Sequence, residues 1–301
     1  MAKTPVTTLD LNFQGQPHAI ASYLLRHSEG VVLVESGPGS GLPALQAALQ
    51  REGFSARDVT HVLLTHIHLD HAGAAGWFSR QGAEIVVHPV GAPHMLNPEK
   101  LLASAARIYG DQMDRLWGEF LPVREDRIRV VQDEEEIVVG SLRFIPFNTP
   151  GHAEHHYAYL FEDICFTGDI GGVRIPGIPY LRLPMPPPEL NLERWRASIA
   201  RLRRQALARI APTHFGIYDD PDWHLAEVEK ALVSVDRWLQ NTVSSELSPD
   251  ECRTRFAQWM TAEGEANHLP PDMFAAYEIV NPSWMSADGL IRYWMKVRQA
   301  H

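Results

Sequence analysis

Short apolar runs alternate with amphipathic stretches through the first half of the chain. Residues 20–25 and 31–35 are runs of strand length, and the cluster Ser36-Gly37-Pro38-Gly39-Ser40-Gly41 that follows is turn chemistry. Leu42, Leu45 and Leu49 then recur at helical spacing and predict a helix over 42–52. A buried strand ending at Leu64, a short helix through Trp77 and Phe78, and a strand over 84–88 come next. Between 89 and 123 the pattern turns helical, with helices predicted over 99–109 and 112–120, as an inserted lid would read. Strands resume at 127–131, 136–139 and 142–147, and the pair 157–161 and 164–167 flanks a turn at Glu162-Asp163.

The proline-rich stretch 176–188 suits neither regular helix nor a central strand. Asn191 is placed to cap the helix behind it, which carries Leu192, Trp195, Ile199 and Leu202 on one face. A short strand at Ile210-Ala211 leads to Pro212-Thr213-His214-Phe215-Gly216. Beyond Asp222 the strand signals stop. Leu225, Val228, Leu232, Val235 and Leu239 form one helical stripe, and helices are predicted over 249–262 and 286–297. The chain thus divides into an α+β domain over 1–220, interrupted by the 89–123 insertion, and a helical C-terminal segment over 221–301.

Composition narrows the function classes. A chain of 301 residues, 45% of them apolar, buries a large core and is not disordered. The net charge of -10 and the lack of a basic tract disfavour nucleic acid as a partner and suit a small or neutral substrate. Cys165 and Cys252 form no CxxC pair, which excludes zinc ribbons and dithiol redox sites and fits a reducing cytoplasm. Residues 1–6 lack the apolar core of an export signal, and no apolar run approaches the roughly 18 residues that span a membrane. The expectation is a cytoplasmic protein with no membrane partner.

The chemistry concentrates in Thr65-His66-Ile67-His68-Leu69-Asp70-His71-Ala72-Gly73, on the loop leaving the strand that ends at Leu64. Three imidazoles and one carboxylate in six residues suit zinc, iron or manganese, and a strand end is where α/β proteins keep their sites. His152, Asp169 and His214 each follow a further predicted strand in the same manner, so seven candidate ligands share one pattern.

Four motifs, THIHLDHAG at 65–73, TPGH at 149–152, FTGD at 166–169 and PTHFG at 212–216, stand in an order that resembles the metallo-β-lactamase superfamily, in the branch near glyoxalase II and the N-acyl-homoserine lactonases. The resemblance implies an αββα sandwich, two β-sheets face to face with helices outside. It implies that His66, His68 and His152 hold one metal, that Asp70, His71 and His214 hold a second, and that Asp169 bridges both. Glu35 stands where such proteins usually carry an Asp that supports the ligands from behind, and it is one methylene longer. Two zinc ions are the implied cofactor, and iron or manganese suits the same thiolate-free donors. The implied reaction is binuclear metal-dependent hydrolysis, a metal-bound hydroxide attacking the carbonyl of a small ester, thioester or lactone. Asp70 is then the catalytic residue that orients the hydroxide and passes a proton to the leaving group.

Tyr109 and Trp117, with His94, Met95 and Phe120, are candidates for a hydrophobic substrate cover in the insertion. Tyr180, Leu181, Leu183 and Met185 are candidates in the proline-rich loop, and their apolar character favours a substrate with an acyl part. His155 is a further pocket candidate, weighed against a hydrogen-bonded structural role that also fits His156 and His88. The C-terminal helices are similar to the segment with which glyoxalase II holds glutathione but carry no clear basic cluster for its carboxylates, so packing and a homodimer contact are expected of them. Two other readings stay open: a mononuclear iron dioxygenase of the persulfide dioxygenase type, held by His66, His152 and Asp169, and a metal-binding sensor with little turnover. An exported β-lactamase and a nuclease fit the chain less well.

Overall fold

The run Val31-Val32-Leu33-Val34 is continuously apolar because the strand it forms is covered on both faces. Val31 and Leu33 pack outward against helices, whereas Val32 and Val34 pack inward against a second sheet. The computed structural model describes residues 4–243 and 247–298. Its first sheet holds β1 (Val6–Asp10), β2 (Ala21–His27), β3 (Gly30–Val34), β4 (Val59–Leu63), β5 (Glu84–Val87) and β6 (Ile128–Val130), paired in chain order. β1 to β3 are antiparallel neighbours, and β3 to β6 run parallel. The second sheet runs in the order β11 (Arg209–Ala211), β10 (Ile164–Phe166), β9 (Tyr157–Phe161), β8 (Leu142–Asn148), β7 (Ile137–Val139).

Tyr157, Tyr159 and Phe161 of β9 face the first sheet, and Ala158 and Leu160 face outward, so the alternation along one strand fills two layers of core. Outside the first sheet lie α1 (Leu42–Arg51), the short α2 (Leu69–Ala72) and α3 (Ala75–Gln81), with the inserted α4 (Ala92–Leu96), α5 (Glu99–Tyr109) and α6 (Met113–Trp117). Outside the second sheet lie α7 (Leu192–Leu202), α8 (Pro221–Thr242), α9 (Pro249–Ala266) and α11 (Ser283–Tyr293), while α10 (Pro271–Val280) packs on Val173, Ile175 and Tyr180. This is the αββα sandwich with an inserted helical stretch and a helical C-terminal segment. Among the described residues no helix is long and apolar enough to cross a membrane.

Three local departures have physical causes. The helix predicted over 112–120 stops at Trp117, because Gly118 turns to φ +65°. Strand β1 escapes an apolar pattern: only Leu9 of its five residues is buried, and Val6 to Thr8 are half-covered. Helix α10 also went unpredicted, although Pro271 at its start and Asp272 in its first turn are helix-start chemistry.

Helix α11 seats directly on the proline-rich loop. A Cβ at Gly289 would lie 1.9 Å from the carbonyl oxygen of Met185, a contact no rotamer relieves. Gly289→Ala is therefore expected to cost about 3 kcal/mol. Thermal melting should show a drop of roughly 5–10 °C. An unchanged melting temperature would mean that α11 does not press on this loop.

Candidate metal centre

Every candidate ligand sits just past a strand. His66 and His68 leave β4, with Asp70 and His71 in α2; His152 follows β8, Asp169 follows β10 and His214 follows β11. The TPGH turn needs its glycine. Gly151 has φ +147°, and a Cβ there would meet the Trp195 backbone at 2.4 Å. Trp195 is fully buried, and its indole N–H donates to the Ile170 carbonyl at 2.9 Å. One α7 residue thus braces the loops that present His152 and Asp169.

These loops bring together five imidazoles and two carboxylates in two adjoining groups, His66, His68, His152 and Asp169 in one and Asp70, His71 and His214 in the other, with Glu35 also within reach of His66 and His71. Asp169 lies between them. Its Oδ2 is 3.2 Å from His152 Nε2 and 3.9 Å from His66 Nε2, while its Oδ1 is 3.1 Å from His71 Nε2 and 3.3 Å from His214 Nε2. His68 Nδ1 faces His152 Nε2 at 2.9 Å in the first group. In the second, Asp70 Oδ2 is 3.4 Å from His214 Nε2 and 3.5 Å from His71 Nε2.

The far nitrogens of four rings are fixed. Nδ1 of His152 pairs with the Pro184 carbonyl at 2.8 Å, that of His214 with the Ala19 carbonyl at 2.7 Å, and that of His71 with Glu35 Oε1 at 3.0 Å. His66 Nδ1 lies 3.1 Å from Thr65 Oγ1. Such partners set the tautomer and leave Nε2 as the inward donor. Glu35 is fully buried at φ +70° and also accepts from the hydroxyls of Thr65 and Thr213. The longer side chain therefore reaches His71 Nδ1.

The cluster is electrostatically unresolved by itself. Burial pushes the His66 pKa well below the ordinary histidine range, and the neighbouring His71 and His68 push it further. Burial and the facing His152 take His68 down to about 4. Burial also opposes charge on His71 and His214, yet Asp169 and Asp70 outweigh it, raising His71 well above its usual value and His214 to about 10. His66 Nε2, His71 Nε2 and Asp169 Oδ1 are buried with no hydrogen-bond partner. Buried polar atoms are rarely left so. A metal cation would give these unpartnered atoms their partner and take the place of the protons that the two carboxylates draw onto His71 and His214, and all the donors are nitrogen or oxygen, which suits zinc, iron or manganese.

The centre floors a cavity of about 250 Å³. Tyr109, Trp117 and His94 of the insertion line it, as do Ile67, Leu69, Pro184, Pro186, Pro187 and Pro188. His155 lines it too, with Nε2 3.5 Å from Glu189. Tyr180 does not. Its ring packs edge-on to Tyr277, with centroids 5.1 Å apart, and its carbonyl accepts the Tyr277 hydroxyl, so it belongs to the contact between the proline-rich loop and α10. Leu181, Leu183 and Met185 likewise turn into the core under α7 and α8, and it is the prolines of that loop that face the cavity. Met95 and Phe120 pack in the core of the first outer layer. His156 is structural: its Nδ1 pairs with Thr149 Oγ1 at 2.9 Å and its Nε2 accepts the Asp169 N–H at 3.2 Å. His88 pairs with Asn148 and accepts the Val90 N–H. Val280 and Met285 line the cavity from the C-terminal segment and were missed in the sequence, where α10 itself was not seen.

Residues 15–214 match the family description of the metallo-beta-lactamase superfamily. The chain is 27% identical over 190 residues to a metallo-beta-lactamase fold-containing protein of Sulfurisphaera tokodaii, covering 62% of this chain and 68% of that one. It is 29% identical over 132 residues to a hydroxyacylglutathione hydrolase of Xanthomonas campestris, covering 44% of this chain but only 39% of that relative's length. Among solved structures, a metallo-beta-lactamase family protein of Thermus thermophilus superposes with a TM-score of 0.69 at 20% identity, over 97% of this chain and 93% of that one. An archaeal superfamily protein from Sulfolobus tokodaii gives 0.66 at 19% identity, over 96% and 99%.

Proposed function

The chain belongs to the metallo-beta-lactamase superfamily, and from that premise we propose that it is a metal-dependent hydrolase cleaving the acyl bond of a small ester, thioester or lactone at a two-ion centre. The observation that carries the reading is the convergence of orphaned nitrogen and oxygen donors on the floor of a largely apolar cavity. His66, His68 and His152 would hold one ion and Asp70, His71 and His214 the other, with Asp169 shared. Zinc ions, or iron or manganese in the same places, would supply Lewis acidity toward the acyl carbonyl and the attacking water.

The chain's own groups do the rest. Asp70 lines the cavity and is half-buried, its side chain 22% exposed. Burial works against its charge, but His71 and His214 more than offset that and hold the carboxyl well below the usual carboxylate range. An ionised carboxylate there accepts a hydrogen bond from the attacking water, takes the proton that the water sheds and returns it to the leaving oxygen or sulfur. Ile67, Leu69, Trp117 and the prolines of 184–188 offer apolar surface to the acyl part of the substrate and exclude solvent. The likeness to a hydroxyacylglutathione hydrolase supports including thioesters. Two free, buried cysteines suit a reducing, cytoplasmic setting.

Steady-state assays on an ester, thioester and lactone panel test the reading. Asp70→Asn is expected to lower kcat by about 10²–10⁴-fold. A nearly unchanged rate would remove Asp70 from the chemistry, and no turnover by the metal-loaded parent protein would overturn the hydrolase.

A further inference from the structure

Tyr109 ends helix α5 and lines the same cavity as His68, Asp70 and His214. Its ring sits edge-on to Trp117 of the insertion, with centroids 4.9 Å apart, and to Trp284 of α11 at 6.5 Å. Two indoles from different segments thus hold the phenol in place. Its hydroxyl donates to the Sδ of Met285 at 3.1 Å. A thioether is a weak acceptor, whereas a covered phenol ordinarily finds an oxygen. Burial and then the carboxylates of Asp70 and Asp169 raise its pKa, so the group stays a donor throughout the neutral range. A firmly placed O–H with an inferior acceptor, lining the same cavity as the His/Asp cluster, is a donor awaiting a better oxygen.

We propose that Tyr109 is the hydrogen-bond donor that receives the acyl oxygen of the substrate, exchanging the Met285 sulfur for the oxygen on which negative charge develops. The phenol keeps its proton. Water supplies the oxygen that bonds to the acyl carbon, the bond to the leaving oxygen or sulfur breaks, and the proton shed by the water ends on that leaving group. The reaction rests on the hydrolase reading; the contact rests on the cavity.

The test uses the metal-loaded full chain and hexylphosphonate, a stable tetrahedral anion with an acyl-like tail. By calorimetry, Tyr109→Phe should bind it at least about tenfold more weakly than the parent protein. On a hydrolysed ester, Tyr109→Phe should lower kcat about 100-fold with KM changed less than about threefold. Its melting temperature should stay within about 2 °C of the parent. Met285→Leu, which removes only the sulfur acceptor, should bind the phosphonate no more weakly. Equal phosphonate affinity in Tyr109→Phe, or no binding by the parent, would overturn the proposal. So would a Met285→Leu loss equal to that of Tyr109→Phe, since the link between α5 and α11 would then be what matters. Tyr109-dependent binding without turnover of any panel substrate would leave this contact standing and remove the hydrolase.

Discussion

Asp169→Ala is expected to strip the protein of metal and to lower hydrolysis more than about 10³-fold. Its two oxygens face four imidazoles: His66 and His152 on one side, His71 and His214 on the other. It is grouped with His66, His68 and His152 and also faces His71 and His214 of the adjoining group, so its loss opens both at once. Elemental analysis of protein purified without added metal measures the effect directly, with about two ions per chain expected for the parent and fewer than one for the variant. A variant that keeps both ions would show that Asp169 is not shared. About one iron per chain in the parent, with no second ion taken up, would remove the two-ion hydrolase and bring the mononuclear iron reading forward.

Glu35→Ala carries the largest expected cost to stability. The carboxylate is fully buried and accepts from Thr65 Oγ1, the Thr65 N–H, His71 Nδ1 and Thr213 Oγ1. It also holds a backbone position with φ +70°, which a side chain adopts at a cost and only when its surroundings compensate. Removing it strands several buried donors and frees His71 to turn. We expect about 3–5 kcal/mol of lost stability. Thermal melting should fall by roughly 10 °C. Metal affinity should weaken by about 10–100-fold. Glu35→Asp tests reach: the carboxylate persists but retracts by one methylene, and an intermediate loss is expected. If Glu35→Ala melts like the parent, the carboxylate is not what orders the cluster.

Sequence made the metal donors visible because metal chemistry restricts residue types so sharply. Few constraints other than a cation put His66, His68, Asp70 and His71 at the end of one apolar strand, or end three more strands in His152, Asp169 and His214. Individual strands were legible for a related reason, since those buried on both faces, such as β3, read as unbroken apolar runs, whereas their arrangement as a sandwich was implied by the resemblance that the four motifs carry. The cavity walls were less legible. An apolar residue in a loop reads the same whether it faces substrate or core, and Tyr180, Leu181, Leu183 and Met185 face core while the intervening Pro184 faces the cavity. Val280 and Met285 lie more than sixty residues beyond His214, and only tertiary packing of α10 and α11 brings them to the site. The surroundings of Glu35 were hidden for the same reason: Thr213 is 178 positions away in the chain.

The donors are divided between the two sheets. His66, His68, Asp70 and His71 leave the first, and His152, Asp169 and His214 leave the second, so neither sheet presents a complete set for either group. Each ion would then act as a rivet through the sandwich, its binding energy counting only toward the state in which the sheets are docked. During synthesis the first sheet can close once β6 has emerged, but the group that includes Asp70 and His71 is complete only when residue 214 has followed. Metal uptake would therefore come late and serve as a proof of assembly. A cell short of metal would then register the shortage as a sandwich loosened along its middle seam.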